Sequence, residues 1–238
     1  MKYVDVHAHM NEFSSYEKFL EKNKDIVVIN NGLNSKSNLE SLELGKKFSN
    51  VKVALGIYPT EVKNVNVKKE IEFIKENKKN IVAIGEIGLD KKDSENFNEQ
   101  KKVFVKMIEL SLDLKLPVIV HSRLAEKDVV RYLEEYNVKK VVMHSFMGNF
   151  KLVNKIIENN WMLSIPSIID RSEHFQKIVI DVGVNNLLTE TDTPYLGDSK
   201  FHGPKLVKQT IKKISKIKNV NEETIRKKVF SNYKKTFL

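Results

Sequence analysis

The chain has 238 residues, of which 41% are hydrophobic and 30% are charged, and its formal net charge is +10. This length suits one (β/α)8 barrel of about 250 residues, so we predict a single domain over residues 1–238. The sequence has no apolar run that would span a membrane, no secretory signal and no cysteine, which predicts a cytoplasmic protein whose metal ligands are imidazole and carboxylate groups.

Short β-branched apolar runs alternate with longer amphipathic segments along the whole chain. The predicted strands are residues 3–6, 26–29, 51–55, 81–84, 118–120, 141–143, 162–165 and 187–189. The predicted helices are residues 15–23, 38–48, 67–77, 98–114, 127–135, 150–159, 172–182, 205–217 and 222–237. This alternation predicts parallel strands in a (β/α)8 TIM barrel. An open Rossmann-like sheet is the alternative, but no GxGxxG motif follows the first strand.

Potential metal ligands follow five of the predicted strands. The first strand runs into His7-Ala8-His9, and because side chains alternate along an extended chain, both imidazoles can face one ion. The other four ligands at strand ends are Glu86, His121, His144 and Asp192. Side chains at the carboxyl ends of parallel strands meet on one face of a barrel. The pattern therefore predicts a metal site on that face.

The six candidate ligands resemble the set found in binuclear hydrolases. His7, His9 and Asp192 would hold one ion, His121 and His144 would hold a second, and Glu86 would bridge the two. A bridging carboxylate offsets the repulsion between two nearby cations. Such a pair lowers the pKa of a water molecule and polarises a phosphoryl or carbonyl oxygen, and Asp192 is the predicted base for that water.

Longer motifs around these ligands resemble the TatD family of metal-dependent hydrolases, within the amidohydrolase superfamily. The matching segments are residues 4–9 (VDVHAH), 83–90 (AIGEIGLD), 117–123 (PVIVHSR), 144–148 (HSFMG) and 188–196 (LTETDTPYL). The resemblance implies a TIM barrel with divalent metal ions, two per chain, of Zn²⁺, Mg²⁺ or Mn²⁺. It also implies a DNA substrate, because several members are deoxyribonucleases that act on single strands.

One position departs from the family pattern. Gly56-Ile57-Tyr58-Pro59 stands where the family usually carries Gly-x-His-Pro. Tyr58 can donate a hydrogen bond to a phosphate oxygen, but its pKa of about 10 makes it a poor metal ligand; packing at the barrel rim is the alternative. The segment after the last strand also offers few polar groups, mainly Asp198, Lys200 and His202.

Basic residues near the predicted site favour an anionic substrate. Arg123 follows His121 by two positions, and its planar guanidinium suits two phosphate oxygens; a salt bridge to Glu126 is the alternative. Residues 205–235 carry eleven basic and two acidic side chains, which fit either a phosphate-binding patch or an ordinary solvated helix surface.

Three functions are compatible with these features. The first is a TatD-type deoxyribonuclease with Asp192 and Glu86 as catalytic residues and with Arg123 and Tyr58 in contact with substrate. The second is a metal-dependent hydrolase of a small ester, lactone or amide, which Tyr58 and the few polar groups after the last strand favour. The third is a catalytically weak nucleic-acid-binding protein, against which the complete ligand set argues.

Overall fold

The fold is an eight-stranded parallel barrel, seen in a computed structural model that describes residues 1–92, 95–196 and 203–238. The strands lie side by side in chain order, each parallel to the next. They are β1 (Tyr3–Ala8), β2 (Ile26–Asn31), β3 (Val51–Leu55), β4 (Ala83–Asp90), β5 (Val118–Arg123), β6 (Val141–Met143), β7 (Met162–Pro166) and β8 (Leu187–Glu190). The predicted barrel is confirmed.

Helices follow the strands around the outside of the barrel. They are α1 (Tyr16–Lys22), α2 (Ser35–Lys47), α3 (Val67–Glu76), α4 (Phe97–Leu114), α5 (Glu126–Glu135), α6 (Phe150–Glu158), α7 (Glu173–Asp181), α8 (Val207–Lys218) and α9 (Glu222–Phe237). Each predicted helix is present, with ends that differ by a few residues at most. Among the helices of the described ranges, none is long and apolar enough to cross a membrane.

Local sequence signals explain where the helices begin and end. Asn34 starts α2, and its side-chain oxygen accepts a hydrogen bond from the backbone N–H of Ser37 at 3.1 Å, which satisfies one of the unpaired N–H groups of the first turn. Asn149 caps α6 in the same way, because its side-chain oxygen accepts a hydrogen bond from the backbone N–H of Leu152. Helix α4 ends at Lys115, whose left-handed backbone (φ 58°) turns the chain towards β5.

Strands β4 and β5 continue furthest past their predicted ends. Strand β4 extends to Asp90 and β5 to Arg123, and Gly88 pairs with His121 in the parallel ladder between them. Polar residues commonly mark the end of a strand, so the sequence predicted the ends at residues 84 and 120. In the barrel these polar side chains find partners at the carboxyl ends of the strands, and the backbone ladder therefore continues past them.

The barrel closes through side-chain and backbone hydrogen bonds between the segments of β1 and β8. The Asp5 carboxylate is fully buried and accepts hydrogen bonds from the Thr191 backbone N–H at 3.0 Å and from the Thr191 hydroxyl at 2.5 Å. The Asp192 N–H donates to the carbonyl of His7 at 2.8 Å, and the His9 N–H donates to the carbonyl of Thr193 at 2.7 Å. These bonds fix the relative position of the first and last strands.

The segment after β8 that the sequence singled out for its few polar groups is only partly described. Asp198, Lys200 and His202 lie outside the described residues.

We predict that Asp5→Ala lowers the free energy of unfolding by about 3 kcal/mol, because it leaves buried donors of Thr191 without an acceptor. Asp5→Asn should cost about 1 kcal/mol, since the amide oxygen still accepts one of these bonds. Urea unfolding at fixed pH measures both values. Asp113→Ala, at an exposed position of α4, is the matched control and should shift stability by no more than about 0.5 kcal/mol. Equal stabilities for Asp5→Ala and the control would contradict the role given to Asp5.

Candidate metal centre

The structure brings all six predicted ligands together at the carboxyl end of the barrel. Five are buried and His121 is nearly so, with its side chain 14% exposed. Three ligands lie within strands: His7 in β1, Glu86 in β4 and His121 in β5. The other three follow strands: His9 follows β1, His144 follows β6 and Asp192 follows β8. Side chains from distant parts of the chain therefore share one small volume.

One group of ligand atoms surrounds a common point near β1. Nε2 of His7 lies 3.4 Å from Oε2 of Glu86 and 3.5 Å from Oδ1 of Asp192. Nε2 of His9 lies 3.5 Å from each of the same two oxygens. An ion bonded at about 2.0–2.2 Å to each ligand separates neighbouring ligand atoms by roughly 3.0–3.5 Å. These separations are those of ligands around a single cation.

The second oxygen of Glu86 faces His121 rather than His7 and His9. Oε1 of Glu86 lies 3.1 Å from Nδ1 of His121. His144 stacks on His7 with ring centroids 3.6 Å apart, and its Nε2 lies 3.9 Å from Oδ2 of Asp192. Ligand atoms of His7, Glu86 and His144 come within 4.8 Å of one another, as do those of His7, His9 and Asp192. Glu86 thus stands between two groups of nitrogen ligands.

The donor atoms of His7 show that the site suits a cation. The residue is completely buried, and neither ring nitrogen has a hydrogen-bond partner. A buried polar atom without a partner is costly, and an imidazole nitrogen facing two carboxylates is a ligand for Zn²⁺, Mn²⁺ or related ions. The residues present therefore fit the divalent metal that the sequence predicted.

The electrostatics of the site also favour positive charge. Burial would raise the pKa of Glu86, but the facing His7 and His121 outweigh it and hold that pKa well below its ordinary range. Burial would lower the pKa of His144, but Glu190 and Asp192 raise it to about 10. The carboxylates thus stabilise cationic neighbours even where water is excluded, and a divalent ion experiences the same attraction.

Three residues around the ligands hold them in position, and the sequence interpretation gave none of them a role. The backbone carbonyl of Asn31 lies 2.9 Å from Nδ1 of His9. Oε2 of the buried Glu190 lies 2.9 Å from Nδ1 of His144, and Oδ2 of Asp90 lies 3.1 Å from Nε2 of His121. Partners of this kind fix the orientation of a ligating imidazole.

Strand periodicity was the signal that could have found one of these residues. Asp90 stands four positions after Glu86, and both lie in β4. An even spacing places side chains on the same face of an extended strand.

Two glycines allow the close strand spacing that the site requires. A Cβ on Gly56 would stand 2.4 Å from the carbonyl oxygen of Glu86, and a Cβ on Gly88 would stand 2.0 Å from that of His121. Gly88 also has φ of 148°, a conformation that residues with side chains rarely adopt. Without these glycines β3 and β5 could not approach β4 closely enough for Glu86 to face His121.

A cavity of about 950 Å³ opens above the ligands. Most of the ligands line its floor, while Tyr58, Lys92 and Arg123 line its walls. Arg123 is exposed at the end of β5, and both residues predicted to contact substrate, Arg123 and Tyr58, face the same space as the ligands.

Tyr58 is held in a polar environment. Its hydroxyl lies 3.4 Å from Oδ2 of Asp90 and 3.4 Å from Nε2 of His121. Burial and the nearby carboxylates of Glu86 and Asp90 raise its pKa above the ordinary value, so the phenol stays protonated and donates a hydrogen bond. Tyr58 therefore contacts a predicted ligand and the residue that orients it.

The basic C-terminal segment lies on helices α8 and α9. Lys208 pairs with Asp25 at 2.6 Å, Lys213 pairs with Asp170 at 3.3 Å, and Arg226 pairs with Glu223. No residue of this segment is among those that line the cavity in the described structure. These pairings favour the solvated helix surface over a phosphate-binding patch.

Comparisons with known proteins show which family this chain resembles. A family profile described as TatD related DNase matches residues 4–238. An uncharacterized metal-dependent hydrolase of Methanocaldococcus jannaschii is 33% identical, over 100% of this chain and 97% of that protein. Deoxyribonuclease TATDN3 of Homo sapiens is 30% identical, over 76% of this chain and 70% of that protein.

A solved structure shows the same fold. The crystal structure of YJJV, a TatD homologue from Escherichia coli, matches with a TM-score of 0.88 at 20% identity. The match covers 99% of this chain and 97% of that chain, so the barrel is shared from end to end.

We predict that Zn²⁺ or Mn²⁺ raises the melting temperature of the chelator-treated protein. A ligand that binds only the folded state adds about 2.7 kcal/mol at 100 times its Kd. Thermal unfolding with and without the ion measures this shift, and His7→Ala should abolish most of it. His174→Ala, outside the ligand group, is the control and should keep the shift. A shift of equal size in the two variants would rule out His7 as a ligand.

We also predict that Glu190→Gln weakens divalent-ion binding by about tenfold or more. The amide lacks the negative charge of Glu190, which makes the His144 imidazole a more basic ligand for the ion. Isothermal titration calorimetry with Mn²⁺ measures the affinity. Asp113→Asn, an exposed carboxylate change on α4, is the matched control. An unchanged affinity in Glu190→Gln would show that the Glu190–His144 contact has no part in ion binding.

Proposed function

Because this chain belongs to the TatD family of metal-dependent hydrolases, we propose that it is a deoxyribonuclease that hydrolyses phosphodiester bonds with two divalent cations. The observation that supports this most directly is the position of Glu86. One of its oxygens faces His7 and His9, and the other faces His121. A carboxylate shared in this way is what two closely spaced cations require.

The proposed ligands divide into two sets around Glu86. His7, His9 and Asp192 would hold the first cation, and His121 and His144 would hold the second. Imidazole and carboxylate ligands accept Zn²⁺, Mn²⁺ or Mg²⁺. When bound, such cations act as Lewis acids and make water a stronger nucleophile near neutral pH.

Asp192 is the proposed general base. Oδ1 of its carboxylate is directed at His7 and His9, while the residue also lines the cavity floor. Burial would raise the pKa of Asp192, but His144 and His9 lower it below the ordinary value. The carboxylate is therefore ionised near neutral pH and can accept a proton from a water molecule on the cavity floor.

The walls of the cavity support an anionic substrate. Arg123 and Lys92 bring positive charge to the space above the ligands, beside three wall glutamates (Glu12, Glu61 and Glu126), and a guanidinium can hold two phosphate oxygens. The cavity, at about 950 Å³, is near the upper limit for small-molecule sites, which typically occupy about 300–1,000 Å³. The human relative that is named a deoxyribonuclease supports the same class of substrate.

Hydrolysis of a small ester, lactone or amide is the second candidate. Tyr58 favours it, because the phenol hydroxyl is engaged with Asp90 and His121 rather than directed freely into the cavity. The same cations and the same base serve both reactions, so the substrate alone separates the two candidates.

We predict that the protein degrades DNA in the presence of Zn²⁺, Mn²⁺ or Mg²⁺ and that Asp192→Asn lowers the rate by about 10²–10⁴-fold, because the amide cannot accept the proton. Gel analysis of labelled single-stranded DNA, with each ion in turn, measures the rate. Circular dichroism establishes that the variant is folded.

Two outcomes would contradict the proposal. Turnover of an ester or lactone panel with DNA left intact would favour the second candidate. DNA binding without cleavage under any of the three ions would show a nucleic-acid-binding protein instead. Asp113→Asn serves as the control, since this exposed carboxylate lies on the outer helix α4.

A further inference from the structure

Three large apolar side chains are exposed together at the mouth of the cavity. Leu124 is 65% exposed, and Met147 and Tyr195 are each 55% exposed. They lie in the turns after β5, β6 and β8, and all three line the cavity above the metal ligands. The other strongly exposed large apolar side chains of the described chain lie elsewhere: Met1, Leu39, Leu112, Ile180, Val220 and Leu238. The concentration at one opening indicates a binding surface rather than scattered exposure.

The backbone presents Leu124 to this opening. The residue has φ of 55°, in the left-handed region that residues with side chains rarely adopt, and the next residue, Ala125, is buried. A sharp turn between Arg123 and the start of α5 thus leaves the leucine side chain in solvent. Met147 lies on the neighbouring turn, between the buried Phe146 and Gly148.

Tyr195 is held in place beside the metal ligands. Its hydroxyl donates a hydrogen bond to the carboxylate of Glu12, and its backbone N–H donates to the carbonyl of Asp192 at 2.7 Å. The ring meets that of His9 at an angle of 66° with centroids 5.3 Å apart. An aromatic ring that is anchored at both ends and still half exposed is suited to hold a flat group next to the site.

The lining of the cavity indicates the kind of ligand. Lys92 and Arg123 line the same space as the three apolar side chains, and the proposed metal ligands form its floor. Three glutamates also line the walls: Glu12 is bonded to Tyr195, Glu61 is bonded to Asn34, and Glu126 begins α5. The cations proposed for the floor, together with the two basic side chains, supply the positive charge that attracts an anion. The complementary molecule has an anionic group at the centre and flat apolar groups on either side. A phosphodiester between two nucleosides has this arrangement, because each base has an uncharged face that stacks on aromatic and aliphatic side chains.

We propose that Leu124, Met147 and Tyr195 form a base-holding rim that binds the unstacked nucleobases flanking the scissile phosphate. This inference rests on the proposed phosphodiesterase function and extends it to the choice of substrate. The rim contacts base faces and offers no hydrogen-bond pattern that distinguishes one base from another. Affinity therefore depends on the presence of the bases rather than on their sequence.

A pair of minimal substrates tests the rim. One is a dinucleotide of two thymidines joined by a single phosphate; the other is the same phosphodiester with both bases absent. The wild-type protein, with its optimal cation, should show a larger kcat/KM for the dinucleotide, by roughly tenfold or more. The double change Leu124→Ser and Met147→Ser should reduce the ratio of the two kcat/KM values towards one, mainly by raising KM for the dinucleotide. Tyr195→Ala should lower the ratio too, whereas Tyr195→Phe retains the ring and most of the ratio.

Leu39→Ser and Ile180→Ser are the matched controls, since both remove exposed apolar side chains that are not part of the cavity lining. A wild-type kcat/KM ratio near one, or a ratio that the rim substitutions leave unchanged, would contradict the base-holding rim. The proposal of phosphodiester hydrolysis would be unaffected by that result. Failure to hydrolyse either substrate with any of the three ions instead removes the proposed function, and the rim with it.

Discussion

A carboxylate buried among imidazoles is the interaction on which the rest of this structure depends. Glu86 is 2% exposed, and an ionised carboxylate in such a place is tolerated only when positive charge and polar donors surround it. Four histidines supply the surroundings, and three of them are in turn held by Asn31, Asp90 or Glu190. The barrel provides the rigid frame that keeps these groups within a few ångströms of one another. The same buried charge makes the site suited to cations.

Much of the fold and of the ligand set could be predicted from the sequence, because both depend on local patterns. Alternating β-branched runs and amphipathic segments predict the barrel, and parallel strands bring their carboxyl ends to one face. The strand ends were less predictable. The polar residues of β4 and β5 resemble loop residues until the opposite strand supplies their partners, and Asp90 and Arg123 still belong to the parallel ladder. Hydrogen bonding to the neighbouring strand determines where such strands end, and the sequence of one segment alone does not reveal it.

The residues that orient the ligands escaped prediction for a related reason. Glu190 and Asn31 act through contacts with residues 46 and 22 positions away along the chain. A glutamate within an apolar strand gives no sign of the histidine it will meet. The exposed residues Leu124 and Met147 likewise have no distinctive sequence pattern, and only the shared cavity relates them. The sequence therefore indicates the residues with reactive or metal-binding side chains better than it indicates the residues that orient them.

The hydrogen bonds between Asp5 and Thr191 bear on when the candidate site can assemble during synthesis of the chain. The two partners are 186 positions apart, and the two segments that these bonds join also carry His7, His9 and Asp192, whose ligand atoms lie within 4.8 Å of one another. Ribosomal synthesis proceeds from the amino terminus, so His7 and His9 are made well before Asp192, the carboxylate that they face. A chain that stops before Asp192 therefore lacks part of the candidate ligand set. A hydrolase built in this way completes its candidate site only after its eighth strand has been made.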